Sequence, residues 1–303
     1  MQRILFLAQL CILLLSACSG REEGAGQDIY MQPEQLRQEW KKPEILPGAV
    51  APHLMLRPED QAILGKTYYY KTTWMGIHVG DLFATMDYQN GLYTVHVVTR
   101  SYGPAQWISK YYGDTISAFF YDGKQYRPQR FRSQYRIRNK VRTLSVRYDM
   151  AGNVTEDQNI PEEDPKKRPP VSAALKKNSY DSLSLALELR RRVRAAGTEG
   201  KGKTFTLPLY SGRSLVNMLV TPEGLAEDGT QIVSLKRDPV AGLTQKELKN
   251  HAERDITLRL WLDPKTLMPV RGEGVSSVGT ATLEYQGICE SVHQCTDSGE
   301  STD

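Results

Sequence analysis

Between Gly65 and Ile288 apolar and polar residues alternate with a period of two in short runs, each broken by Gly, Asn, Asp or Pro. That period puts successive side chains on opposite faces of an extended chain, so each run reads as a strand with one face turned to a core. The pattern predicts twelve strands: Thr67 to Trp74, Val79 to Tyr88, Tyr93 to Ser101, Thr115 to Tyr121, Gln129 to Arg138, Val141 to Asp149, Lys203 to Tyr210, Arg213 to Thr221, Thr230 to Arg237, Ile256 to Leu262, Met268 to Ser277 and Thr280 to Gln286. Their connections are short and hairpin-like, as at Asp122-Gly123, Asn139-Lys140 and Ser211-Gly212. The period changes to that of a helix over Ser182 to Ala196, where Leu185, Leu189 and Val193 form a stripe widened by Leu183 and Leu187. Asp181 is placed to cap the start, four arginines crowd the end, and Gly197 offers a stop. So many antiparallel strands hide their apolar faces only by rolling up or stacking. The expected fold is mostly β, a rolled antiparallel sheet or partly open β-barrel, with the helix covering one opening; the alternative for the helix is a membrane surface or a partner. The charged, proline-rich stretch Pro161 to Pro170 reads as a solvated loop.

The two ends have a different character. Arg3, the apolar run Ile4 to Leu15 and the small residues before Cys18 read as a secretory signal too short to span a membrane. Leu15-Ser16-Ala17-Cys18 resembles a lipobox that closes a lipoprotein signal read over residues 1–18, which implies diacylation of Cys18 and removal of the peptide before it. Ser19, rather than Asp, favours transfer to the outer membrane, facing the periplasm. Residues 19–64, punctuated by Pro33, Pro43, Pro47, Pro52 and Pro58, read as a tether, 65–288 as one β-rich domain and 289–303 as a C-terminal tail.

Charge changes the picture little. The chain has 39 Lys and Arg against 35 Asp and Glu; loss of Arg3 leaves 38 against 35, or +3, which argues against a nucleic-acid binder. After Cys18, only Cys289 and Cys295 remain, and an even pair in an exported chain reads as a disulfide closing the tail. Free thiols, or metal ligands joined by His293, are the other readings. There is no Gly-x-Ser-x-Gly elbow, phosphate-binding Gly-rich loop, Cys-x-x-Cys or His-Glu-x-x-His, and no cofactor is indicated.

One hairpin defines a surface. With Asn139-Lys140 as its turn, Phe131, Tyr135, Ile137, Leu144, Val146 and Tyr148 share one face, and Arg130, Arg132, Arg136, Arg138 and Arg147 the other. The arginine face is either a solvated sheet exterior or an anion-binding strip for phospholipid or lipopolysaccharide head groups or an acidic envelope protein.

Three separated stretches carry a resemblance. Tyr68 to Gly80 with Trp74, Gly76 and Gly80, then Asp181-Ser182-Leu183-Ser184 with Leu189 and Arg190, then Trp261-Leu262-Asp263-Pro264 leading to Met268-Pro269-Val270-Arg271, together resemble the domain of unknown function 3108 family. The resemblance covers about Gly65 to Gln286 and implies an exported, β-rich bacterial envelope protein with no assigned catalytic residues. Read physically, Asp263 to Thr266 suits a type I turn, and Gly76 and Gly80 suit turns or close approaches. The sharper reading makes Tyr68, Tyr70, Trp74 and Trp261 walls of a ligand cavity.

The functional expectation is a non-enzymatic lipoprotein of the outer membrane, held through a lipid anchor, with a structural or interaction role. A binding module for a lipid or other apolar ligand, and an envelope hydrolase, are the alternatives.

Overall fold

The computed structural model describes residues 56–253, 257–276 and 279–289. Thirteen strands form one antiparallel sheet that does not close into a barrel. The chain enters through a short 3-10 turn, Pro58–Ile63, and begins in the middle of the sheet with β1 (Lys66–Trp74). It then meanders outward through β2 (Ile77–Gln89), β3 (Leu92–Ser101), the short helix α1 (Gly103–Ser109), β4 (Tyr112–Tyr121), β5 (Tyr126–Ile137), β6 (Lys140–Tyr148) and the edge strand β7 (Val154–Ile160). Helix α2 (Ser182–Ala196) carries it to the opposite edge, β8 (Phe205–Tyr210). From there β9 (Leu215–Leu225), β10 (Gln231–Ala241), helix α3 (Gln245–Glu253), β11 (Thr257–Leu262) and β12 (Pro269–Ser276) lead back to β13 (Gly279–Cys289), which pairs with β1.

Helix α2 does more than cover an opening. Leu183 and Leu187 pack into a core built from β1 to β6, which includes Tyr70, Tyr93, Phe119 and Tyr126. Leu185, Leu189 and Val193, on the helix's other flank, pack into a second core from β8 to β11 with Val220, Val233 and Leu262. The helix therefore lies inside the folded sheet and joins its halves. A third cluster, Phe131, Val146 and Tyr148 with Tyr210 and Leu215, brings the halves together directly.

Three expectations are corrected. The β5–β6 turn is Arg138-Asn139, because Ile137 pairs with Lys140 and Arg138 takes the left-handed conformation at φ 56°. The difference from the expected register is two residues, which preserves the faces of the strands but takes Arg138 off them. The loop after β7 is not simply solvated: Arg168 is buried and donates to the Gly242 carbonyl at 2.5 Å and to Glu247 at 2.6 Å, while Glu163 holds Arg142 at 2.5 Å and the buried Arg213. Those charges cross from one half of the sheet to the other. Finally, the strand Val154–Ile160 and helices α1 and α3 were not expected.

Candidate functional site

Two of the family-like stretches meet at α2, and the third shares a core with it through Tyr68 and Tyr70. Asp181 caps the helix, accepting from the amides of Leu183 at 2.8 Å and Ser184 at 3.1 Å, and its second oxygen accepts from the hydroxyls of Ser184 at 2.7 Å and Ser117 at 2.9 Å. Burial pushes its carboxyl upward, a shift that these bonds only partly offset. Two turns on, Arg190 donates to the Thr266 carbonyl, from Nε at 2.8 Å and Nη2 at 2.5 Å, and to Asp60 at 2.9 Å. Thr266 is presented by the Asp263 turn, whose carboxylate accepts from the Thr266 amide at 2.7 Å and the Lys265 amide at 3.0 Å. Asp60 also accepts from the Tyr126 hydroxyl. Glu188, fully buried, accepts from Arg191 at 2.6 Å, Arg192 at 2.9 Å and the Tyr126 amide at 3.2 Å. Unpaired, each of these buried charges would be strongly destabilising. The arrangement closes them on one another and fixes α2 in place.

The stretch Tyr68 to Gly80 contributes backbone geometry. A Cβ on Gly80 would lie 2.8 Å from the Arg100 carbonyl oxygen, where the β1–β2 register shifts, and Gly76 sits at φ +81° in the β1–β2 turn. Tyr68 and Tyr70 point into the core and pack on Tyr285; burial raises the Tyr68 hydroxyl to about 12. Trp74 ends the strand half-buried. Leu260 and Leu262 face the core, so Trp261 between them faces outward, with the Arg271 guanidinium 4.9 Å from its ring.

The outer face of β1 to β4 carries a polar cluster that sequence periodicity did not reveal. Asp81, buried, accepts from the Tyr69 hydroxyl at 3.0 Å and Arg100 Nε at 3.1 Å, and His78 Nε2 lies 3.0 Å away. Burial alone would raise the Asp81 carboxyl; the hydrogen bond and charge of His78, with Tyr69 and Arg100, outweigh it and hold it below the usual range. His78 also stacks on Tyr102 at 4.1 Å, and on the same face His96 and Asp114 form a buried pair at 3.1 Å. A strand with both faces covered has no simple alternation, which is why these pairs were not legible. Among the described residues no three His, Cys, Asp or Glu side chains are grouped to hold a metal.

The outer face continues into the predicted arginine strip. Arg130, Arg132 and Arg136 lie on β5, and Arg130 faces Arg147 across the β5–β6 pair. All four already contact other groups of the chain. Two arginines directly opposed would repel, and β7 answers with Glu156 opposite Arg147, 3.6 Å from its Nε. Arg138 is corrected as a member of the strip: from the turn its Nε donates to the Ile108 carbonyl at 2.8 Å and its amide to Ser109 at 2.8 Å, binding α1. Cys289 ends β13 and is disulfide-bonded; Cys295 and Cys18 lie outside the described residues.

Residues 69–286 match the family described as "Protein of unknown function (DUF3108)". No curated protein matches the chain. A solved structure, that of the hypothetical protein CT021 from Chlamydia trachomatis, aligns over 76% of this chain and 91% of its own at 7% identity with a TM-score of 0.28.

Proposed function

We propose that this chain, which belongs to the DUF3108 family of proteins of unknown function, is a non-catalytic lipoprotein of the cell envelope, anchored through Cys18 to the outer membrane on its periplasmic side. It works through its surface. What supports this reading is the position of α2: the inside of the folded sheet is filled by the chain's own helix, with Asp181, Glu188 and Arg190 paired to the chain's own groups. Opening a chamber for an apolar ligand would expose Leu183, Leu185, Leu187, Leu189 and Val193. At about 2 kcal/mol each, that is roughly 10 kcal/mol, comparable to the whole stability of a domain. Fractionation of cells expressing Cys18→Ala tests the anchor. The proposal expects the variant to leave the outer-membrane fraction; unchanged distribution contradicts it.

A further inference from the structure

The two ends of the sheet differ in what they show to solvent. Because every strand pair is antiparallel, one end holds the finish of β1, β3, β5, β7, β8, β10 and β12 and the start of the others. Eight of the eleven exposed large apolar side chains among the described residues lie at this end. Four belong to adjoining segments: Met75 in the β1–β2 turn is 67% exposed, Ile77 55%, Tyr102 46% and Trp107, on α1, 85%. Two bonds tie these segments and the β5–β6 turn together, from the Tyr102 amide to the Val79 carbonyl at 2.9 Å and from Arg138 to Ile108, while the Met75 amide donates to Thr280 of β13 at 2.9 Å. A contiguous apolar edge on a folded domain marks an interaction site.

The Met75 side chain lies against Gly279 yet stays mostly exposed, and its turn would be better served by another residue. Met75 and Gly76 both have positive φ, 49° and 81°, a two-residue turn that favours Asn or Asp before Gly. At the other end of β2 the matching turn is Asn90-Gly91, with φ 53° and 81°. The chain thus uses the favoured residue at one end and an exposed methionine, in the same strained conformation, at the other.

Charge identifies the occupant. The three segments Trp74 to Gly80, Arg100 to Tyr112 and Arg136 to Arg142 contain six Arg and Lys and no Asp or Glu, and two of the six, Arg100 and Arg142, pair with Asp81 and Glu163 outside them. Among them Lys110, Arg136, Arg138 and Lys140 are exposed beside the apolar side chains. Trp and Tyr at an apolar edge rimmed by cations match the boundary of a bilayer with anionic head groups. We propose that this end of the domain docks on an anionic phospholipid bilayer, with Met75 and Trp107 inserted and the basic side chains at head-group level. This contact is separate from the lipid on Cys18. Residues 19–55 would reach at most roughly 130 Å, several times the roughly 33 Å of a ten-residue strand, so anchoring and docking are compatible.

The test uses full-length Cys18→Ala protein with phosphatidylcholine vesicles, with and without phosphatidylglycerol. The protein should sediment with the anionic vesicles only, and brominated acyl chains should quench its tryptophan fluorescence. Trp107→Ala should weaken binding about fivefold or more and remove most of the quenching. Met75→Asn, which suits the turn better, should weaken binding similarly while leaving thermal stability equal or higher, so lost binding is not lost folding. Binding unaffected by both variants, or absent from anionic vesicles, overturns the proposal. So does a dimer in solution that Trp107→Ala dissolves, since the edge would then join two chains.

Discussion

Asp81 and Asp181 are both buried carboxylates whose surroundings pull their proton affinities in opposite directions. Asp81 is held low by His78, Tyr69 and Arg100, despite burial that raises it, so its contribution to stability is present above the ordinary carboxylate pKa and is lost as pH falls through the lower folded value. Asp181 is raised by burial, so the folded chain holds its proton longer; its contribution is present at low pH and is lost as pH rises through the raised folded value. Urea unfolding from about pH 3 to 7 should therefore show wild type gaining on Asp81→Asn as pH rises and losing ground to Asp181→Asn. Parallel trends would contradict the assignments. Asn retains capping ability, so Asp181→Asn should still fold. Asp181 was legible because a cap is a local signal; Asp81 was not, because its partners come from β1, β2 and β3.

At the scale of elements, α2 sets the cost of change. Leu187→Ala and Leu189→Ala empty opposite flanks of the helix, each into a different core, and each should cost about 2–5 kcal/mol in denaturant unfolding. If the helix were a lid packed on one side, one of the two would be nearly silent. The boundaries of α2 follow from its stripe, cap and terminal Gly197, and the central strands follow from their alternation. Edge strand β7, with the sequence Val154-Thr155-Glu156-Asp157-Gln158-Asn159-Ile160, lacks a row of buried apolar residues, so pattern alone does not mark it. Helix α3 buries no residue and has no stripe to read. The β5–β6 turn was misplaced because Arg138, not an expected turn former, adopts positive φ.

Across the whole molecule, the open edges β7 and β8 are fastened by polar side chains. Asn159 donates to the Gly212 carbonyl at 2.9 Å, Tyr210 donates to Asp157, and Glu163 holds Arg142 and Arg213. Glu163→Ala leaves the guanidinium of Arg213, 1% exposed, without this carboxylate and should cost about 3 kcal/mol. Exposed ion pairs such as Arg147 with Glu156 should contribute less than about 1 kcal/mol by the same measurement. An equal cost at both sites would deny the fastening. With its edges fastened and α2 inside, the sheet has its interior occupied by its own chain, and its outward surfaces are left for function. Native mass spectrometry of full-length Cys18→Ala protein purified from cells tests this most directly: the account predicts the mass of the polypeptide alone, and a stoichiometric apolar ligand carried from the cell would contradict it.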